Sequence, residues 1–134
     1  MKSKEQLEFI KTVNKILNNS NKKKYKALEK VLLNKNKILN WEGIITNIVR
    51  YSRKENIEEV FLMIDINNEY IPNIVFHTLV KEQPYLERDI QNLKTSSLVK
   101  FSGKNFSIKC YNKNYLIIHF EPLEINEIII NNNN

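Results

Sequence analysis

Two histidines, one cysteine and an adjacent pair of glutamates are the side chains of this sequence best suited to catalysis or metal binding. His77 and His119 are far apart in the chain and lack cysteine or carboxylate neighbours at the spacing of a zinc site, so we expect each to be a partly buried strand residue. Glu58 and Glu59 would point to opposite faces of a strand and cannot act together on one bond. Cys110 has no base nearby to activate it and is expected to be a small, half-buried strand residue.

Motifs of the common enzyme classes are absent from the sequence. It contains no glycine-rich phosphate loop, no GxSxG turn and no Cys/His signature. The sequence therefore predicts a non-catalytic protein with no metal or other cofactor, and a site assembled only in space is the alternative.

The positive charge is unevenly distributed along the chain. The net charge is +6, but residues 1–40 hold eleven lysines against three glutamates, a net +8, and residues 41–134 carry a net −2. Such a basic segment attracts nucleic acid or an acidic protein partner. Its densest part is expected at the start of a helix, where the helix dipole disfavours cations, so these lysines are either a solvated face or a contact for phosphate or an acidic partner: Lys22, Lys23, Lys24 and Lys26.

Length and composition indicate one compact domain with an N-terminal extension. The chain has 134 residues, 42% of them hydrophobic and 27% charged, which allows a buried core. We expect no membrane span and no secretory signal, and hence an intracellular protein, cytoplasmic or nuclear. The single cysteine agrees with a reducing compartment.

Residues 1–38 are predicted to form a basic helical hairpin that packs against the remainder of the chain. Ser3 and Gln6 have the form of a capping box for a first helix from 3 to 17. Asn21 is the expected cap of the second helix. The predicted buried stripes are Leu7, Ile10, Val13 and Leu17 on the first helix, and Tyr25, Leu28, Val31 and Leu32 on the second.

Residues 39–134 are predicted to form a barrel with a short C-terminal tail. Five strands are expected at about 40–52, 58–67, 70–79, 98–108 and 115–123. Asn67 and Asn68 suit a tight turn, Pro72 suits a strand edge or bulge, and Pro84 suits the first turn of a helix between the third and fourth strands. Leu86, Ile90 and Leu93 fall on one face of that helix, which would close the bottom of the barrel.

The two glycines of the sequence both fall inside predicted strands. Gly43 lies in the first strand and Gly103 in the fourth, where glycine is normally unfavourable. A small barrel needs sharp bends that glycine permits, so both positions favour closure.

The strand order and three short motifs resemble the OB-fold nucleic-acid-binding superfamily, in particular its tRNA-anticodon-binding-like branch. The motifs are Trp41-x-Gly43-x-Ile45, the segment 61–65 and the segment 93–103, within a match of about residues 40–124. The resemblance implies a mainly β protein with some α structure: a five-stranded OB-fold barrel with one helix between strands three and four, preceded here by the helical hairpin.

The resemblance also implies a ligand groove across strands two and three, bordered by loops at about 52–57 and 109–114. Proteins of this superfamily stack bases on aromatic side chains and contact phosphates with basic ones. The implied stacking residues are Tyr51, Phe61, Tyr70 and Tyr111. The implied phosphate contacts are Arg50, Arg53, Lys54, Lys104, Lys109 and Lys113.

Alternation along the second strand separates its two faces. Inward-pointing positions are expected at Val60, Leu62, Ile64 and Ile66, and outward-pointing ones at Phe61, Met63 and Asp65. An outward Phe61 is either a platform for bases or the contact on which an N-terminal helix packs. Acidic residues near the groove oppose phosphate binding: Glu55, Glu58, Glu59, Asp65 and Glu69.

Two functions remain open at this point. The first is binding of single-stranded DNA or RNA by the barrel, aided by the basic extension. The second is a protein-interaction module or small subunit of a larger assembly, in which these side chains contact other chains: Phe61, Met63, Ile128, Ile129 and Ile130.

Overall fold

In the computed structural model of the chain, five strands close into a barrel and two helices cover one of its ends. The structure describes residues 2–18, 23–52, 58–67, 73–81, 92–112 and 115–129. The elements are α1 (Lys4–Leu17), α2 (Lys24–Leu33), β1 (Lys37–Ser52), β2 (Glu58–Asp65), β3 (Ile74–Lys81), β4 (Leu98–Tyr111) and β5 (Leu116–Glu127). Neither helix is long and apolar enough to cross a membrane.

The barrel order is β1-β2-β3-β5-β4, and β4 pairs with β1 to complete the ring. All neighbours are antiparallel except β3 and β5, which are parallel. The prediction of a closed, five-stranded, mainly β barrel of OB-fold type is confirmed. Strand bounds differ from the prediction by up to four residues, and β1, β4 and β5 are longer than expected.

Several sequence predictions fall on residues outside the described part of the chain. These are the turn at Asn68, the strand edge at Pro72 and the helix from Pro84 through Ile90. Leu93, the last residue of that predicted apolar face, is described and is buried.

β1 pairs with two neighbouring strands and must bend between them. Its first half pairs with β4 and its second half with β2, with the change of partner at Ile44. The register shifts between Ile45 and Asn47, which is the irregularity expected where a strand turns a corner of a small barrel.

The glycines lie where neighbouring strands approach closely, and neither has a positive φ. A Cβ on Gly43 would meet the Ile64 side chain and come within 2.7 Å of the Asp65 carbonyl oxygen, and a Cβ on Gly103 would meet the ring of Phe120. Gly103 also sits at a register shift of the β4–β5 pair. Close approach and curvature, rather than a left-handed backbone, therefore explain both glycines.

Alternation along β2 sorts the side chains largely as predicted. Val60, Leu62 and Ile64 are buried in the barrel, while Phe61 and Met63 are half-buried on its outside. Asp65 follows the same alternation, since it lies opposite Val75 on the face that holds Phe61 and Met63, but it is buried there.

The barrel core is aromatic at its centre. The ring of Phe76 is the hub, with centroid distances of 6.0 Å to Trp41, 5.5 Å to Phe101 and 5.7 Å to Phe120. All four rings are almost completely inaccessible to solvent. Such tilted and edge-on pairs are the favoured arrangements of aromatic rings.

Helix α1 closes the barrel end through one ring and one carboxamide. The ring of Phe9 lies 5.1 Å from that of Trp41 and 6.2 Å from that of Phe76. Buried Gln6 donates from Nε2 to the carbonyl oxygens of Glu42 (2.6 Å) and Ile66 (3.2 Å), and its Oε1 accepts from the Glu42 N–H (2.8 Å). The side chain thus satisfies backbone groups of β1 and of the residue after β2.

The sequence predictions for α1 are confirmed in part. Ser3 is the N-cap, and its side chain accepts from the Gln6 N–H as a capping residue should. Gln6, however, directs its carboxamide to the barrel rather than acting as the return arm of a capping box. Leu7 is 52% exposed and Phe9 takes its place in the buried stripe, because the stripe is centred on Phe9 and Val13.

Helix α2 packs on α1 and β4 through a narrower face than expected. Leu28 and Leu32 are buried, but Tyr25 is 42% exposed, contrary to the prediction. The N-cap position is Lys23, whose side chain makes no capping hydrogen bond, and Asn21 lies outside the described residues.

Candidate functional site

Three half-buried rings form a row across neighbouring strands on the outside of the barrel. Phe61 of β2 and His77 of β3 have ring centroids 4.0 Å apart, and His77 and His119 of β5 have centroids 5.5 Å apart. The rings of each pair are tilted by just over 50°. We refer to Phe61, His77 and His119 as the ring row.

Strand pairing explains why these three side chains meet. The parallel register of β3 and β5 runs from Ile74 opposite Leu116 to His77 opposite His119, so both histidines occupy the fourth position of their strands. In the β2–β3 pair, His77 lies opposite Met63 and diagonal to Phe61. Diagonal neighbours on one face of a sheet are within reach of aromatic side chains.

The histidines of the ring row are biased toward the neutral form. Burial lowers the pKa of His77 below 6.5, and the positive charges of His119 and Lys109 lower it further. Burial also lowers the pKa of His119, aided by Lys109 and opposed by the nearby carboxylate of Glu121. Near pH 7 both rings are therefore uncharged and planar, with exposed Lys109 as the adjacent cation.

Half-buried apolar side chains border the ring row. Met63 lies beside His77, Leu79 opposite Phe61, and Ile117 two residues before His119 on the same strand face. The Asn47 amide lies 4.0 Å from the Met63 sulfur. The surface is thus aromatic and apolar at its centre with polar groups at its edges.

Beyond the ring row, β3 and β5 separate and leave a cleft in the barrel wall. Their pairing ends at His77 and His119, and the following residues enclose a volume of about 390 Å³. We call this the seam cleft; its walls are Thr78 and Leu79 of β3, Asn105 of β4 and residues 119–122 of β5. Pro122 lies in the part of β5 that pairs with β4 but not with β3, where a residue without an N–H is tolerated.

Two buried polar atoms in the walls of the seam cleft have no hydrogen-bond partner among the described residues: Thr78 Oγ1 and His119 Nδ1. Thr78 is only 1% exposed. At the rim of the cleft, the Asn105 amide donates to Glu121 Oε2 and orients that carboxylate. Buried polar groups are satisfied in the great majority of cases, so the two exceptions mark this wall as unusual.

Tyr111, one of the implied stacking residues, lies away from the ring row. It is opposite inward-pointing Leu116, and its ring is 5.4 Å from that of Tyr25 in α2. Both tyrosines are about 40% exposed at the rim between the barrel and the basic helices, at 42% for Tyr25 and 38% for Tyr111. Cys110, next to Tyr111, is exposed rather than half-buried, with its sulfur 3.4 Å from the Tyr115 hydroxyl.

The implied phosphate contacts occupy several different places. Lys109 is beside the two histidines, and Lys104 is across the β4–β5 pair from Glu121. Arg50 donates to the Leu93 carbonyl oxygen at 3.2 Å. Outside the described residues, or with an undescribed side chain, are Tyr51, Arg53, Lys54, Tyr70 and Lys113.

The acidic residues predicted near the groove are partly withdrawn from the surface. Glu59 is 6% exposed and Asp65 is 3% exposed. Of the others, Glu55 and Glu69 lie outside the described residues, as does the side chain of Glu58. Exposed Glu121 of β5, beside His119, is an acidic group that the structure adds to this face.

The lysines of the extension surround the start of α2. Lys23 and Lys26 are exposed, Lys24 donates to the Leu17 carbonyl oxygen at 2.7 Å, and Lys22 lies outside the described residues. Lys24 thus places a cation at the C-terminal end of α1, where the helix dipole favours one. The helix hairpin accordingly carries its positive charge to the rim that holds Tyr25 and Tyr111.

The C-terminal isoleucines begin as a continuation of β5. The Ile128 N–H donates to the Leu98 carbonyl oxygen at 2.8 Å, Ile129 is 82% exposed, and Ile130 lies outside the described residues.

Within the described part of the chain, no group of three or more His, Cys, Asp or Glu side chains could hold a metal ion. In comparisons with known proteins, no family model, curated protein or solved structure matches this chain.

Of the ring row, the sequence predicts Phe61 but not the two histidines, and it does not predict the seam cleft. The contact between His77 and His119 depends on the parallel β3–β5 pair, which joins distant parts of the chain. A usable signal was present: with an OB-fold strand order, the two histidines fall at equivalent positions of the two strands that pair in parallel.

Proposed function

We propose that the protein binds single-stranded nucleic acid, DNA or RNA, on the outer face of β2, β3 and β5. The observation that carries this proposal is the ring row, three planar side chains in contact on adjacent strands and beside Lys109. Bases stack on such rings whatever their identity, because every base has a π face. The face of β2 and β3 is the one that OB-fold proteins use for oligonucleotides, and β5 lies next to β3 in the barrel.

The proposal includes membership of the OB-fold nucleic-acid-binding superfamily and, more finely, of its tRNA-anticodon-binding-like branch. The closed barrel with its single parallel β3–β5 pair supports the first of these. The short motifs at Trp41 and Gly43, both buried in β1, support the second.

The position of the helices also supports binding on this face. Helix α1 contacts the barrel at Trp41 of β1, Phe76 of β3, Ile66 after β2 and Asn73 before β3. The ring of Phe61 contacts His77 instead of a ring of α1. The basic helices meet the barrel rim at Tyr25 and Tyr111, where their charge adds sequence-independent attraction for a strand that extends from the ring row.

Binding of labelled oligonucleotides to the full chain at several salt concentrations tests the proposal. The dissociation constant should rise steeply with salt, because lysines that neutralise phosphates release counterions. Phe61→Ala should weaken binding by about 1 to 3 kcal/mol for the stacked base it loses. Leu33→Ala removes another exposed apolar side chain, 71% accessible on α2, and serves as the matched control. Absence of binding at low salt would reject the proposal.

His77 offers a sharper test of stacking. His77→Phe keeps a ring on β3 and should retain most of the affinity, whereas His77→Ala should lose about as much as Phe61→Ala. Lys109→Ala should reduce the slope of log affinity against log salt concentration by about 1, as expected for the loss of one phosphate contact, and should leave base preference unchanged. Equal losses for His77→Phe and His77→Ala would argue against stacking at this position.

Docking of a protein partner is the second candidate function. Ile129, almost fully exposed where the chain leaves β5, and the apolar border of the ring row at Met63 favour it. An apolar strand end is able to pair with another chain. Light scattering of the purified protein checks for self-association, and Ile129→Lys should abolish it if docking is the function. A monomer that binds oligonucleotides with unchanged affinity after Ile129→Lys would count against docking.

A further inference from the structure

We infer that the seam cleft is a pocket for one unstacked guanine base of the bound strand. This inference rests on the proposed function, since the strand on the ring row delivers the base. The cleft begins at His119, which is both the last ring of the row and part of the cleft wall. A nucleotide stacked at one end of the row therefore has its neighbour at the mouth of the cleft.

The size and lining of the cleft suit a base. Its volume of about 390 Å³ lies within the usual range for small-ligand sites. Half-buried Leu79 provides an apolar wall for a planar ring, and exposed polar side chains reach the cleft from two strands, Asn105 from β4 and Glu121 from β5. Base-specific recognition of single strands commonly uses this combination of an apolar slot and hydrogen bonds to the Watson–Crick edge.

The unsatisfied atoms in the wall indicate what the ligand must supply. Thr78 Oγ1 can donate or accept, and His119, neutral near pH 7, has a ring nitrogen that accepts or donates according to its tautomer. Both atoms are closed to solvent, so a base reaches either one only when a neighbouring side chain moves aside. A hydrogen bond made in that way removes the cost of an unmade bond to a buried group.

The carboxylate of Glu121 selects guanine among the bases. A carboxylate only accepts hydrogen bonds, and it accepts two side by side when the partner presents parallel N–H groups. Guanine presents N1–H and N2–H next to each other on its Watson–Crick edge. Adenine and cytosine place a ring-nitrogen acceptor beside their amino group, and uracil and thymine place carbonyl oxygens on both sides of one N–H.

The surroundings of Glu121 hold the carboxylate for this role. The Asn105 amide donates to Oε2, which fixes its orientation at the rim, and each carboxylate oxygen retains capacity for another bond. Lys104 lies across the β4–β5 pair and balances the negative charge beside a polyanionic strand. Asn105 itself has a left-handed backbone, with φ of 55°, a conformation that asparagine tolerates well.

Fluorescence anisotropy with matched ten-nucleotide strands, in DNA and RNA series, tests the inference. Each strand is thymine or uracil throughout, except for a central guanine, inosine, adenine or cytosine. The guanine strand should bind about tenfold more tightly than the others, as expected for a bidentate contact. Inosine keeps N1–H but lacks the N2 amino group, so it should lose most of this preference.

Glu121→Gln is the decisive variant, because it keeps the shape of the side chain and replaces one acceptor oxygen with a donor. It should abolish the ratio of guanine to adenine affinity. Glu124→Gln makes the same change at an exposed position of the same strand and should leave that ratio unchanged. A guanine preference that survives in Glu121→Gln would overturn the assignment.

The outcomes separate this inference from the function on which it rests. Tight, salt-dependent binding with equal affinity for all four central bases would overturn the guanine pocket and leave strand binding intact. No binding of any strand to the wild-type protein at low salt would overturn both. Preference for guanine over inosine in the wild type, lost in Glu121→Gln alone, supports the pocket.

Discussion

The barrel end that α1 closes, which we call the capped end, and the seam between β3 and β5 differ in whether their buried polar groups have hydrogen-bond partners. At the capped end, Gln6 makes three hydrogen bonds to backbone groups, and the side-chain oxygen Oδ1 of Asn14 accepts from the Asn73 side-chain amide at 2.7 Å. At the seam, Thr78 and His119 each leave a buried atom without a partner among the described residues. The polar groups that join α1 to the barrel are satisfied, and the proposed base pocket would account for the unmade bonds at the seam.

Trp41 at the capped end departs from this pattern, and its surroundings explain the departure. Trp41 Nε1 is buried without a partner among the described residues, in a site lined by Phe9 and Phe76. The described side chains of this site pack without room for a water molecule. Apolar packing of the indole therefore outweighs the missing hydrogen bond here, while the seam has both unmade bonds and empty volume.

Phe9→Ala should produce the largest loss of stability that this comparison predicts. Removal of a buried ring that packs on Trp41 and Phe76 should lower the free energy of unfolding by about 3 to 5 kcal/mol. Urea denaturation measures the change. Leu7→Ala on the same helix is the control, and its effect should be within about 0.5 kcal/mol since Leu7 is mostly exposed. Similar losses for both variants would contradict the described docking of α1.

Gln6→Ala should have the next largest effect. It leaves buried groups of Glu42 and Ile66 without their side-chain partner, and each unsatisfied group costs about 1 to 3 kcal/mol. Thr12→Ala removes an exposed hydroxyl that bonds to the Glu8 carbonyl oxygen within the helix and should change the free energy of unfolding little. Equal denaturation midpoints for the two variants would show that the carboxamide does not hold the helix to the barrel.

The same contrast explains what could be predicted from the sequence. The barrel was predicted from the order of the strand and helix patterns, which resembles that of OB-fold proteins, and the two faces of β2 at Phe61 and Leu62 follow from alternation within a short segment. The docking role of Gln6 was hidden because its spacing from Ser3 also fits a capping box. The ring row and cleft could not be found from local patterns, since they depend on the distance between β3 and β5 after His77 and His119.

Acidification should lower the free energy of unfolding through His77 and His119 of the ring row. Both have a pKa below 6.5 in the folded protein, so the unfolded chain binds protons first as the pH falls. The stabilising contribution is present above pH 6.5 and is lost as the pH falls through the lowered folded-state pKa values. Urea denaturation between about pH 7.5 and about pH 5 should show the decline, and His77→Phe should show less of it.

Oligonucleotide affinity should rise as the pH falls over the same range, because protonation of the histidines adds positive charge beside Lys109.

Thr78→Val should have the smallest effect on stability and so distinguishes the two regions most directly. The hydroxyl of Thr78 makes no bond with the described residues, so its replacement by a methyl group removes an unsatisfied buried atom and fills the same space. The free energy of unfolding should stay within about 1 kcal/mol of wild type or rise, in contrast to Gln6→Ala. Guanine preference should fall in Thr78→Val if its hydroxyl contacts the base. A loss of stability comparable to that of Gln6→Ala would mean that the hydroxyl has a structural partner, and the seam would then resemble the capped end.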